Sequence, residues 1–219
     1  MNIPVLVVEH LQYGFARQPL IFTNLSLALN AGERLGITGP NGSGKTTLFN
    51  ILLGFHRPTA GRLRWFGKPA ERESDFTGIR GRVGYLFQNP DDQLFCPTVA
   101  EEVAFGPFNQ GYSRDTVMTI VADTLAMLNL TDFASRVTYH LSEGEKRLVS
   151  LAAVLAMKPD VLLLDEPTNG LDEASRTRML NLLAELPQSM IVVSHDRTFL
   201  DALITREFNL GFGATRKDA

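Results

Sequence analysis

The chain reads as an α/β fold with an inserted helical segment, and three observations point there. Residues 161–164 (VLLL) and 190–193 (MIVV) are unbroken apolar runs, the pattern of parallel strands buried on both faces. The strand-like RLGIT at 34–38 runs through the glycine-rich GPNGSGKTT into the apolar LFNILLG, a strand–turn–helix unit. From about residue 98 to 134 the pattern turns helical, with Val117, Ile120, Val121, Leu125 and Leu128 at helical spacing.

Taken in order, strands are expected over 5–11, 25–29 and 34–38, then a helix over 44–53. Further strands are expected over 61–66 and 82–87, before the helical middle. LSEGEKRLVSLAAVLAM opens another helix, with Ser142 as its cap. The strand at 161–164, a helix over 173–186 and the strand at 190–193 complete the pattern, and the Lys/Asp/Ala-containing tail is expected to fray. The whole is read as one domain over 1–219, with a core of about 1–90 and 158–219 and a helical subdomain of about 91–157.

Bulk properties narrow the function classes. The 219 residues are 44% hydrophobic and 21% charged, as in an ordinary globular protein. A net charge of -3 offers no basic field for nucleic acid, so none is expected as a partner. Cys96 is the single cysteine, which excludes an intrachain disulfide and fits a reducing compartment. The N-terminal MNIPVLVVEHLQYGF lacks a basic start and reads as a strand. The apolar stretches at 148–157 and 161–164 are separated by Lys158, Pro159 and Asp160, and neither is long enough for a bilayer. Work at a membrane would therefore go through a partner, without direct insertion. Four scattered histidines make no metal site, and His10, His56 and His140 are read as structural.

Gly39-Pro40-Asn41-Gly42-Ser43-Gly44-Lys45-Thr46 satisfies G-x-x-x-x-G-K-[ST]. Its glycines let successive backbone N–H groups turn inward and approach phosphates closely. The following helix offers a partly positive N-terminus. In this pattern Lys45 reaches the β- and γ-phosphates, the Thr46 hydroxyl ligates Mg²⁺, and Thr47 reaches the α-phosphate. VLLLDEP sets Asp165 and Glu166 at the C-terminal end of a buried strand, where ligands bind in open α/β sheets. Asp165 suits Mg²⁺, and Glu166 suits a general base that activates water for attack on a γ-phosphate.

Other segments carry a resemblance. Leu141-Ser142-Glu143-Gly144-Glu145 resembles the LSGGQ signature of ABC ATPases. Gln88 resembles their Q-loop glutamine, Gly170-Leu171-Asp172 their D-loop and His195 their switch histidine. The motifs follow the family's order over nearly the whole chain. The resemblance implies a P-loop NTPase fold with a RecA-like core, an antiparallel β subdomain and an inserted α-helical subdomain. It implies two such domains sandwiching two ATPs, with Ser142 and Gly144 contacting the γ-phosphate bound by the other subunit. Gln88 would sense Mg²⁺ and the attacking water, and His195 would hold the transition state. An aromatic near the N-terminus would stack on adenine, Phe15 first and Tyr13 second. One departure stands out: Glu143 occupies a position that is usually glycine, and it is expected to point away from the nucleotide.

Gln88-Asn89-Pro90-Asp91-Asp92-Gln93-Leu94-Phe95, continued by CPTVAEEVAFGP, resembles energy-coupling-factor importers, above all their cobalt/nickel and biotin branches. That likeness implies a transmembrane T subunit, a substrate-binding S component and a place at the cytoplasmic face of the membrane. Asp91 and Asp92 would meet an arginine of the T subunit. It also implies a homodimer, or a heterodimer with a paralogue. A soluble ABC ATPase without transport, of the iron–sulfur assembly type, is the alternative.

Overall fold

The computed structural model describes residues 4–212; the tail expected to fray lies mostly outside the described residues. The chain forms two compact units, one of residues 1–80 and 187–219, the other of residues 81–186.

In the first unit, β1 (Pro4–Tyr13) pairs antiparallel with β2 (Phe22–Asn30) and with β4 (Ala60–Trp65), which carries the short β5 (Lys68–Pro69). The buried set Leu6, Val8, Leu11, Tyr13 skips a beat of the period-two alternation. A bulge supplies the extra residue: register shifts there, and His10 takes the left-handed φ of 52°, its Nδ1 2.8 Å from Asn24 Oδ1. Gly61 faces the bulge, where a Cβ would stand 2.5 Å from the Leu11 backbone. The bulge returns Tyr13 to the buried face.

A parallel set lies in the same unit. β3 (Arg34–Thr38) is flanked by β8 (Ser189–Val193) and β9 (Arg206–Asn209). All five side chains of β8 are buried, as its apolar run requires. α1 (Lys45–Leu52) leaves the end of β3 and buries Leu48, Phe49, Ile51 and Leu52. The indole N–H of buried Trp65 donates to Leu52 O at 2.9 Å, tying β4 to the end of α1. α2 (Glu73–Arg80) and α7 (Arg197–Leu203) complete the unit.

The second unit joins a parallel pair, β6 (Val83–Leu86) with β7 (Val161–Asp165), to the helices α3 (Val99–Asn109), α4 (Arg114–Met127), α5 (Glu143–Ala156) and α6 (Glu173–Glu185). Val117, Ile120, Val121, Leu125 and Leu128 are all buried, as their spacing predicts. Both α3 and α5 open with full capping boxes, Thr98 with Glu101 and Ser142 with Glu145.

β5, α2, α7 and β9 are not anticipated by the sequence pattern. α2 buries only Phe76 and Ile79, α7 has seven residues, and no side chain of β9 is fully buried. Hydrophobic periodicity is too short to read in each.

Candidate functional site

The first unit carries the phosphate-loop sequence in the turn between β3 and α1. Gly44 is the N-cap of α1, at a left-handed φ of 95°. A Cβ there would stand 2.5 Å from Ile21 and 2.8 Å from Phe22, so only glycine fits. α1 has no side-chain cap and no acidic residue in its first turn. The other long helices of the described residues have such caps: Thr98, Ser113, Ser142 and Asp172 accept from the first turns of α3, α4, α5 and α6. The first turn of α1, with no side-chain cap and no acidic residue, suits an anion, with the helix dipole in support. The buried Ser43 Oγ has no hydrogen-bond partner. Lys45 Nζ folds back onto the carbonyls of Gly39 at 2.9 Å and Pro40 at 3.2 Å. Asn41, Gly42 and Thr46 are exposed, and Thr47 is half-buried. A lysine beside a helix N-terminus that no side chain caps, with a cradle that a Cβ would fill, fits a triphosphate.

The hairpin between β1 and β2 adjoins this loop through Ile21 and Phe22, and Ile21 N donates to Tyr13 O at 2.8 Å. Tyr13 is buried and stacks on His56 at 5.5 Å, whereas Phe15 is 42% exposed and meets both rings edge-on. Phe15 presents a face to solvent and Tyr13 does not. His56, read from sequence as structural, is the third ring of this cluster. His195 is exposed just past β8, and Asp196 beside it caps α7.

The second unit carries the acidic strand end. Asp165 closes β7 and is buried, and the Tyr85 hydroxyl donates to its Oδ2 at 3.3 Å. Burial and the neighbouring Asp165 charge push the Tyr85 phenol well above its ordinary range, so it stays a donor. Glu166 follows, buried, at a left-handed φ of 49°. Such a conformation costs a non-glycine residue about 1–3 kcal/mol and concentrates at functional positions. Gln88 is exposed just beyond β6. Ser142 and Gly144 lie at the start of α5, and a Cβ on Gly144 would stand 3.0 Å from Ser175 Oγ. Ser175 N donates to Asp172 Oδ1 at 2.7 Å, which holds the Asp172 carboxyl below its ordinary value.

Arg147 is a residue that sequence reasoning missed. It is 1% exposed, and its guanidinium donates to Phe87 O at 2.8 Å and Asn169 O at 3.3 Å. It therefore ties the backbone before Gln88 to the backbone before Gly170. In the sequence it follows Glu145 and Lys146 in an ordinary charged run, so nothing there marks it as buried. The segment after Gln88 is also fastened. Gln93 bridges Phe87 N and Ser150 O at 3.1 Å each, Lys146 Nζ pairs with Asp91 Oδ1 at 2.6 Å, and buried Glu102 accepts from Phe95 N and Cys96 N. Burial and Glu102 push the Cys96 thiol up to about 11. Asp92 is exposed.

Comparison with known proteins agrees with these features. The ABC transporter family matches residues 22–169. An ABC transporter ATP-binding protein of Brucella suis is 55% identical over 186 residues, covering 85% of this chain and 77% of the relative. The energy-coupling factor transporter ATP-binding protein EcfA of Methanothermobacter thermautotrophicus is 39% identical over 213 residues, covering 95% of this chain and 68% of the relative. A solved structure of cbiO1 from Clostridium perfringens, part of the ABC transporter complex cbiONQ, superposes with a TM-score of 0.87 at 32% identity, covering 95% of this chain and 85% of that one. The fold is that of an ABC ATPase, with antiparallel and parallel sheets and added helices. The chain belongs to the ATP-binding, ATP-hydrolysing subunits of ABC transporters.

Proposed function

We propose that this chain powers an energy-coupling-factor importer for a vitamin or a transition metal ion such as cobalt or nickel. The observation that carries the reading is the fastened segment from Gln88 to Phe105, whose sequence resembles that importer class. Lys146 of α5 pairs with the Asp91 carboxylate, the Gln93 side chain reaches Ser150 O of α5, and Glu102 of α3 holds the backbone N–H groups of Phe95 and Cys96. Phe95 and Phe105, packed edge-on at 4.7 Å, remain 65% and 45% exposed. An aromatic pair on a fixed backbone suits a docking surface for the transmembrane T subunit. Asp91 and Asp92 supply carboxylates for a basic residue of that partner, Asp92 more fully because Asp91 is shared with Lys146. The likeness to EcfA and cbiO1 supports the same reading.

In this reading Lys45 and the N–H groups of Gly42–Thr47 hold the triphosphate, and Phe15 carries the adenine. Thr46, Gln88 and Asp165 would hold Mg²⁺, which supplies charge neutralisation on the phosphate oxygens when bound. Asp165 is suited to this: it is buried, and a neutral phenol orients one oxygen. Glu166 takes the proton of the attacking water. His195 donates to the γ-phosphate. Ser142 and Gly144 serve the ATP of a second subunit, with Asp172 beside them. That subunit is a second copy or a paralogue, and the pair sits at the cytoplasmic face of the membrane without entering it. No helix among the described residues is long and apolar enough to cross one.

The test is affinity purification of the tagged chain from detergent-solubilised membranes of the source cell. Recovery of two integral membrane proteins, with solute uptake that Lys45→Ala abolishes, is the expected result. Recovery of only soluble iron–sulfur assembly proteins would overturn the reading.

A further inference from the structure

Arg147 is a cation with almost no exposure, and an arginine stays charged when buried. Burial alone drives its pKa down, and the opposing pull comes from Glu143, then Asp165 and Glu166. Glu143 forms an ion pair with it, its Oε1 3.8 Å from the guanidinium, one helical turn earlier on α5. The Glu143 side chain lies along the helix toward the Asn169–Gly170 turn: a Cβ on Gly170 would stand 3.5 Å from Glu143 Cγ. The same guanidinium holds Phe87 O and Asn169 O, the residues directly before Gln88 and Gly170. Without Glu143 the guanidinium would keep the two carbonyls and the weaker pull of Asp165 and Glu166 but lose its largest counter-charge, which is costly for a buried cation. Arg147 Nε is buried without a hydrogen bond, so the site already holds this cation with little to spare.

We infer that Glu143 is a positioning residue: it is the counter-charge that keeps Arg147 seated, and through Arg147 it fixes the backbone that presents Gln88 and the Gly170–Asp172 turn. The carboxylate at the first residue of α5 thus acts inward on its own unit and does not meet the nucleotide. Removing it loosens Arg147, and both segments lose a shared anchor. The effect falls on turnover and not on ATP affinity, because the phosphate loop is not held by this strap. This inference concerns the contacts that serve hydrolysis and so rests on the ATPase reading, but its structural half is testable without turnover.

The experiment compares the parent, Glu143→Gln, Arg147→Met and the double variant, with Arg147→Lys in reserve should Arg147→Met fail to fold. Urea unfolding of the purified chain reads the pair directly. Glu143→Gln is expected to lower the midpoint in the parent background and to have no effect once Arg147 is gone. ATPase of the assembled complex is expected to fall by roughly 3- to 10-fold in kcat for Glu143→Gln, with the KM for ATP unchanged. Equal midpoints for parent and Glu143→Gln, or strictly additive changes, overturn the inference. So does a rise in kcat of Glu143→Gln, the sign of a carboxylate that had faced the nucleotide. A parent that binds ATP no better than Lys45→Ala would contradict the ATPase reading instead, and the unfolding cycle would still decide on the pair.

Discussion

Lys45 shows how one residue's contacts set an expectation. Its ammonium rests on two carbonyls of its own loop, Gly39 and Pro40, above the uncapped first turn of α1. Lys45→Ala should remove most ATP binding, read by equilibrium dialysis, and leave the fold intact, because the ammonium bonds only carbonyls of its own loop. Phe15→Ala should weaken ATP several-fold, by about 1 kcal/mol for a lost aromatic face, with Tyr13→Ala acting mainly on stability. The residues proposed to contact phosphate stand in the sequence at a spacing that the chemistry fixes. Arg147 and His56 were not legible. Their roles depend on what the chain brings beside them, the Phe87 and Asn169 carbonyls in one case and the Tyr13 and Phe15 rings in the other.

Among the elements, α5 carries the densest design. Ser142 caps it, Glu145 closes the capping box, and Arg136 pairs with Glu145 at 2.8 Å. The Arg136 hydrogen bond, followed by the Ser142 N–H, holds the Glu145 carboxyl below its ordinary 4.5. A depressed carboxylate contributes stability above its unfolded value and loses it as the pH falls through the folded one. Glu145→Gln should therefore cost about 0.5–1 kcal/mol at pH 7 and cost progressively less as the pH drops below 4.5, read by urea midpoints across that range. The apolar run of β7 is expected at nearly its observed bounds, whereas α4 is legible only as part of a helical stretch from about 98 to 134 that also holds α3. Elements held by a few contacts, such as α2 and the edge strand β9, carry no such pattern and were missed. The bulge at His10 was missed for another reason: it is set by the pairing with β2 and β4, which a single strand does not reveal.

At the scale of the whole molecule, the chain carries all the motifs of one ATPase subunit, and the ATP sandwich proposed for it takes two. The second task proposed for it is to pass that cycle to a membrane partner. Asp91→Ala with Asp92→Ala should weaken co-purification with the T subunit while the isolated chain still binds ATP. Undiminished recovery would rule out the acidic pair as the docking contact. Hydrolysis with Glu166 as the proposed base is decided by ATP binding and turnover of Glu166→Gln in the assembled complex. Parental ATP affinity with turnover slowed by ~10²–10⁴ is expected. Turnover at the parental rate would show that Glu166 is not the base.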